Sequence, residues 1–431
     1  MSAPGPSSTH PWRWIPSLYL AQGIPYVVVM TVAVVLYKNL GLSNTDIALY
    51  TSWLYLPWVI KPLWSPVVEL FGTKRAWIVA LQFMLGVAFA LVAFTLPGPD
   101  FVRCTLAVFW LIAFSSATHD IAADGFYLLA LPPHQQAAFV GVRSTFYRIA
   151  MISGQGAVVA IAGTLSEKLG DPVRAWMWVF GGLGAVFAVA AMYHMWALPR
   201  PAADRAAPRE GNARGRAAGG FVAVFVEFFR KPGLGPMLAF LLLYRFAESQ
   251  LVKLLSPFLL DARETGGLGL STQAVGLVYG TLGIVALTIG GIAGGVLIAR
   301  HGLKRMLWPL VVAMNAPNLV YVFLAWTQPE SMAVIGAAIV VEQLGYGLGF
   351  AAYLVYMMMV AAGPHQTAHY ALCTGFMALG MMLPGMPAGW LQERLGYEWF
   401  FVWVCVATVP SFVATALIKV DPAFGKKSAA E

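Results

Sequence analysis

Nine charged side chains fall inside long apolar runs of the chain: Lys61, Arg143, Arg148, Arg245 and Lys253, with Asp120, Asp124, Glu248 and Glu342. At the centre of a lipid-facing helix each would cost about 3 kcal/mol, so each must face a partner or a wet cavity. Their spacing suggests which. Asp120 and Asp124 are four residues apart and share one helix face. The turn near Pro133-His134 lies about ten residues from both Asp124 and Arg143, and about fourteen from both Asp120 and Arg148. At 1.5 Å per residue each couple sits at one depth across a helical hairpin. Lys61 reaches a similar level, so a charge cluster among the second, fourth and fifth helices is expected. Asp124–Arg143, close to the end of its hairpin, reads as a structural ion pair. Asp120, with His119 beside it, stands open between a structural pair and a proton relay.

Arg245 and Glu248 are three apart and can pair along one helix, whereas Glu342, followed by Gln343, has no sequence-local partner. A lone carboxylate in an apolar helix suits proton coupling, because loss of water favours the neutral form and an approaching cation the ionised one. Glu342 and Glu248 are therefore the leading coupling candidates, with Asp120 and His119 behind them. Pairing with a basic group elsewhere in the fold is the alternative. Arg148, Arg245 and Lys61 can meet an anionic substrate, and Gln343 can add a hydrogen bond. Tyr26, Tyr147 and Tyr244 can stack on sugar faces if they point inward, as can Trp53, Tyr55, Trp58, Tyr127 and Tyr346. For any one of these rings, packing or a place in the interfacial aromatic belt is the commoner role.

The elements that must hold these groups follow from composition. Of 431 residues, 59% are apolar and 11% charged, against about 25% charged in soluble domains. A chain so poor in charge could not cover a water-facing surface. The net charge of +8 suits the loop bias of a polytopic membrane protein better than a nucleic-acid face. Cys104, Cys373 and Cys405 stand in apolar runs at unrelated spacings, giving neither a disulfide framework nor a metal pair. No cofactor or metal is expected.

A bilayer core of about 30 Å asks for some 20 apolar residues as helix. Twelve runs meet this: approximately 15–38, 46–68, 76–97, 102–130, 136–163, 172–197, 234–260, 271–298, 306–327, 331–361, 367–391 and 396–419. The first run is too long for a signal-peptide core and reads as a retained span. Residues 198–233 form the one long connector, rich in Ala, Arg, Pro and Gly, with an interfacial amphipathic helix expected at Phe221–Arg230. It divides the chain into a bundle over 1–197 and a second over 234–431. Lys and Arg crowd the tails, the connector and the loops at Lys74-Arg75 and Arg300–Arg305, placing both termini in the cytoplasm. Glycines such as Gly290 and Gly294 in span eight, and Gly375, Gly380 and Gly385 in span eleven, allow close helix contact. Pro384 and Pro387 are expected to kink span eleven.

The halves echo one another. Glu69-Leu70-Phe71-Gly72-Thr73-Lys74-Arg75 follows span two, and Ala299-Arg300-His301-Gly302-Leu303-Lys304-Arg305 follows span eight. Six plus six spans with this repeated loop resemble the major facilitator superfamily, whose acidic–glycine–basic signature joins the second and third spans. That resemblance implies an all-α fold of two six-helix bundles, gating loops at Glu69, Lys74, Arg75, Arg300, Lys304 and Arg305, and a cavity lined by spans one, four, seven and ten. No nucleotide-binding GxxxxGK[ST], zinc-binding HExxH or hydrolase GxSxG motif occurs, so neither an ATP-driven pump nor a hydrolase is expected.

Several segments are more particular: Ala21-Gln22-Gly23-Ile24-Pro25, Lys61-Pro62-Leu63-Trp64-Ser65-Pro66, Phe114–Asp124, Tyr147-Arg148, Tyr244-Arg245 with Glu248, and Glu342-Gln343-Leu344-Gly345. Together they resemble the AmpG-type muropeptide permeases of the peptide–acetyl-coenzyme A transporter branch. The resemblance implies proton-driven import of anhydro-muropeptides across the bacterial inner membrane by a monomer, with Lys61, Asp120, Asp124, Arg148, Arg245, Glu248 and Glu342 as the functional polar set. Its implied partners are a small-molecule substrate, protons and the lipid bilayer, without nucleic acid. Siderophore or acyl-coenzyme A carriage, and a ligand sensor that does not transport, are the alternatives.

Overall fold

In the computed structural model, residues 10–131, 133–202, 204, 225–362, 366–422 and 424 are described, and among them every regular element is helical. Among the described residues, nine helical segments are long and apolar enough to cross a membrane: Pro11–Asn39, Lys74–Thr95, Phe101–Ala130, Val142–Leu169, Pro172–Ala197, Thr272–His301, Leu303–Thr327, Met332–Ala361 and Ala388–Leu417. They are spans one, three to six, eight to ten and twelve. Span eleven is Gln366–Gly385. The remaining two are each in two pieces. Span two runs as Asn44–Trp53 and Leu56–Leu70, and span seven as Leu234–Leu243 and Phe246–Leu260.

The break in span two has a local cause. Pro57 lacks an N–H, and its ring would strike the carbonyl of Trp53 in a continuous helix. The join between spans eleven and twelve differs from the expected one near residue 393. Span eleven stops at Gly385, Pro387 opens a new helix, and that helix kinks at Gly396, whose φ of 73° is left-handed. Glycine carries such a conformation without the Cβ clash that other residues meet. Pro384 lies inside span eleven. Spans one, five and eight contain π-helical turns at Val28–Val32, Ser153–Val158 and Gly276–Gly283.

The chain falls into two compact units, one comprising Met1–Ala33 and Leu63–Ala217, the other Val34–Pro62 and Ala218–Glu431. The first unit has a core of Trp14, Ile15, Leu18 and Tyr19 packed on Ile78, Ala122, Ala123, Phe126 and Tyr127. In the second, spans eight and ten cross at backbone distance. A Cβ on Gly290 would lie 2.2 Å from the Leu344 carbonyl oxygen, and one on Gly347 would lie 2.2 Å from that of Leu287. Gly290 and Gly294 thus act as expected of span eight, whereas Gly295 has nothing within 4 Å. In each of the two echoing loops the glycine has a positive φ, 72° at Gly72 and 83° at Gly302. Of the expected amphipathic helix, Phe225–Phe229 is helical, with Phe228 buried and Val226 and Phe229 exposed. Its first four residues and the connector 205–220 lie outside the described residues.

Candidate functional site

In the second unit, span ten buries Glu342 completely. Its Oε2 accepts hydrogen bonds from the Tyr321 hydroxyl of span nine at 2.7 Å and from Gln343 Nε2 at 2.9 Å. Its other oxygen has no hydrogen-bond partner. Glu248, 4% exposed, occupies the first turn of the second piece of span seven, where helix N–H groups favour negative charge. One of its oxygens is likewise unpartnered, and both Glu342 and Arg245 act on it electrostatically. Two buried carboxylates within reach of each other, each with a free lone pair, form a place where a proton can be held.

Arg245 does not make the expected ion pair along a helix. It caps the break in span seven, with φ −108° and ψ 24°, so it lies outside the helix that carries Glu248. Its guanidinium instead sits 5.3 Å from the ring centre of Tyr346 and 5.0 Å from that of Phe350. It also donates to the Tyr346 hydroxyl, and no carboxylate of the described residues lies within 4 Å. A guanidinium held on two rings, with Glu248 acting on it only at longer range, has donors of its planar fork left over that could meet a carboxylate. Tyr244 is placed differently from the sugar-facing position considered for it. It is wholly buried, stacks on Tyr353 with centroids 5.0 Å apart, and donates to the Gly349 carbonyl at 2.9 Å.

In the first unit, Asp124 and Arg143 form the ion pair that hairpin depth predicts, at 3.0 Å. Tyr19 donates to the same carboxylate at 3.3 Å, and the Arg143 guanidinium lies 4.7 Å from the Tyr19 ring centre. Asp120 is within electrostatic reach of Arg143 and of Tyr147, which also senses Tyr26. Arg148 is half-buried on the same helix as Tyr147. Lys61, expected to join the charges of spans four and five, is grouped with the second unit. Among the described residues it has no carboxylate within 4 Å.

His119 joins a buried polar chain that sequence reasoning did not anticipate. Its Nε2 lies 3.0 Å from Gln82 Nε2, Gln82 Oε1 lies 2.8 Å from His194 Nδ1, and His194 Nε2 lies 2.9 Å from Ser17 Oγ. Three spans and the start of a fourth are fastened by it. The signal in the sequence is faint: Ser17, Gln82 and His194 are single polar residues in apolar runs, and His119 stands beside Asp120. Tyr321 was equally silent, reading as one more tyrosine near a span end.

The loop after span two is anchored by backbone. Asp204 accepts from the N–H groups of Lys74 at 2.7 Å and Arg75 at 3.0 Å, capping span three, while Arg75 Nε donates to the Leu198 carbonyl at the end of span six, at 3.3 Å. The Glu69 side chain lies outside the described ones. Arg300, Lys304 and Arg305 are exposed.

At the opposite end of the second unit, a polar clasp ties Val34–Pro62 to the rest. Lys38 Nζ lies 2.6 Å from Asp261 and donates to Asn44 Oδ1 at 2.8 Å. Asn44 Nδ2 donates to Gln392 at 2.7 Å and to the Tyr397 hydroxyl at 2.9 Å, and Tyr397 donates to Asp261 at 2.6 Å. Glu393 accepts from the Thr45 N–H at 2.9 Å.

Known proteins resemble this arrangement along most of the chain. The anhydromuropeptide permease of Escherichia coli (strain K12) is 28% identical over 361 residues, covering 83% of this chain and 69% of the permease. A putative transporter, AmpG 4, of Rickettsia felis is 24% identical over 410 residues, covering 91% of this chain and 93% of its own length. Among solved structures, the D-xylose-proton symporter superposes with a TM-score of 0.67 at 13% identity, over 97% of this chain and 99% of the symporter. The nucleoside transporter NupG gives 0.67 at 13% identity, over 94% and 98%. The last two show the fold alone. The profile of the Major Facilitator Superfamily matches residues 17–383, and this multi-pass membrane protein belongs to that superfamily of transporters.

Proposed function

We propose that the chain is a proton symporter that imports anhydro-muropeptides, or closely related amino-sugar conjugates, across the bacterial inner membrane, with both termini in the cytoplasm. One observation carries the coupling: Glu342 and Glu248 are buried together, each with an unpartnered oxygen. Such a pair takes up a proton when a bound substrate and closed helices exclude water, and yields it when water or a cation returns. Arg245, with Arg148 and Lys61, meets the carboxylates of the cargo, and Gln343 hydrogen-bonds beside Glu342. Tyr26 and Tyr147 serve as stacking surfaces. Asp120 and His119 are secondary coupling candidates, Asp124–Arg143 a structural tie, and the two basic loops gating elements. The similarity to the E. coli permease supports the cargo class.

The test is uptake of labelled GlcNAc–anhydroMurNAc-peptide into proteoliposomes bearing an inward proton gradient. Accumulation above the external concentration, lost on adding an uncoupler, is expected. Binding without accumulation would make the protein a sensor. Absence of binding, with uptake of a siderophore or an acyl-coenzyme A in its place, would move it to that cargo.

A further inference from the structure

Lys253 is a buried basic residue that the reading above leaves without work. It is 2% exposed in span seven, about one and a half turns beyond Glu248. Its Nζ donates to Thr51 Oγ1 at 2.9 Å and lies 5.0 Å from the ring centre of Tyr55. Thr51 in turn donates to the Ile47 carbonyl at 2.7 Å, so its oxygen faces the ammonium as an acceptor only. No carboxylate of the described residues lies within 4 Å of Nζ. One hydrogen bond to a neutral hydroxyl and one aromatic face fall short of neutralising a desolvated ammonium, and an uncompensated buried charge is costly. A second orphan lies alongside. The Ser52 hydroxyl is buried with no hydrogen-bond partner. It borders the same glycine: a Cβ at Gly385 would lie 3.0 Å from Ser52 Oγ and 3.4 Å from Lys253 Cγ.

An ammonium without an anion and a hydroxyl without a partner, set around a residue with no side chain, form half of a carboxylate site. We propose that Lys253, with Ser52, is an anion-binding group for the transported substrate, held on Thr51 and Tyr55 in the conformation described and passed to a substrate carboxylate that displaces the Thr51 hydroxyl. Thr51, Ser52 and Tyr55 all belong to the Val34–Pro62 segment that the Lys38–Asp261 and Asn44 contacts hold, so one segment presents the lysine's resting partners and the unpartnered hydroxyl together. The site lies about 12 Å along span seven from Arg245, at 1.5 Å per residue. A cargo with two separated carboxylates would span the two cations. This inference rests on the transport of an anionic cargo proposed above.

The experiment compares uptake of GlcNAc–anhydroMurNAc-peptide with that of the same compound methylated at its peptide carboxylates, using the full chain in proteoliposomes. Wild type is expected to prefer the acid. Lys253→Met is expected to lose about tenfold or more of that preference, as loss of a charge-assisted hydrogen bond implies, with ester uptake held within about twofold. Lys253→Arg should keep most of it. Thr51→Val removes the resting partner yet leaves the charge, and should keep the preference. Equal loss of acid and ester in Lys253→Met, an unchanged ratio, or a Thr51→Val phenotype copying Lys253→Met would each overturn the anion-binding role while leaving the transport assignment standing. A wild type that takes up neither compound would instead overturn the muropeptide cargo proposed above, and this role with it.

Discussion

Glu342→Gln is expected to abolish uphill accumulation of the cargo while leaving exchange across the membrane intact. Glutamine matches the volume, and its carbonyl still accepts from the Tyr321 hydroxyl, which now lies 2.7 Å from the carboxylate. Burial among Tyr321, Gln343 and the span nine–ten contact therefore survives. What disappears is the ability to gain and lose a proton. In proteoliposomes the internal concentration should stop at the external one with or without a gradient, and counterflow of preloaded substrate should persist. Glu248→Gln serves as the companion variant, because the two carboxylates lie within electrostatic reach of each other. Gradient-driven accumulation that survives in both variants would remove this pair from the coupling step.

Arg245→Met is expected to have the largest effect on substrate affinity. The guanidinium has its stacking partners in place on Tyr346 and Phe350, and its Nε is buried without a hydrogen bond. It is thus positioned before any ligand arrives, and little ordering is left to be done on binding. A hydrogen-bonded carboxylate–arginine contact contributes about 1.5–3 kcal/mol, so the KM for an acidic muropeptide should rise roughly 10- to 100-fold. Arg245→Lys should recover only part of this, since an ammonium neither stacks on two rings nor offers a fork. Saturation curves for the three proteins decide the matter. A KM within about twofold of wild type in Arg245→Met would place the carboxylate elsewhere.

The fold was legible because apolar length is a coarse signal that tolerates substitution. Composition alone marks the membrane helices, and the glycine–basic loops mark the repeat. Charges were legible only where they are neighbours along the chain. Asp124 and Arg143 face each other across one hairpin, so depth arithmetic finds the pair. Lys38 stands at the end of the first apolar run, yet its partner Asp261 comes from the far half of the sequence. Glu342 looked solitary because its main partner is the uncharged Tyr321 of another span. Breaks inside apolar runs were also invisible to hydropathy. Pro57 hints at the one in span two, but nothing in Tyr244-Arg245 announces the one in span seven, which undoes the Arg245–Glu248 helix pairing. Registers between helices far apart in sequence are set by side-chain packing, and a single chain carries no direct record of it.

The segment Val34–Pro62 belongs to one unit by contact and to the other by connection. The polypeptide therefore passes between the units three times, at 33–34, 62–63 and 217–218, and not once through the arginine-rich connector. A nick within 205–217 severs one passage and leaves two. The amino-terminal fragment would still thread the carboxy-terminal unit with 29 residues, held by the Lys38–Asp261 pair and the Asn44 hydrogen bonds. The connector is thus dispensable as a tether, and the two pieces of a cleaved chain should migrate as one particle.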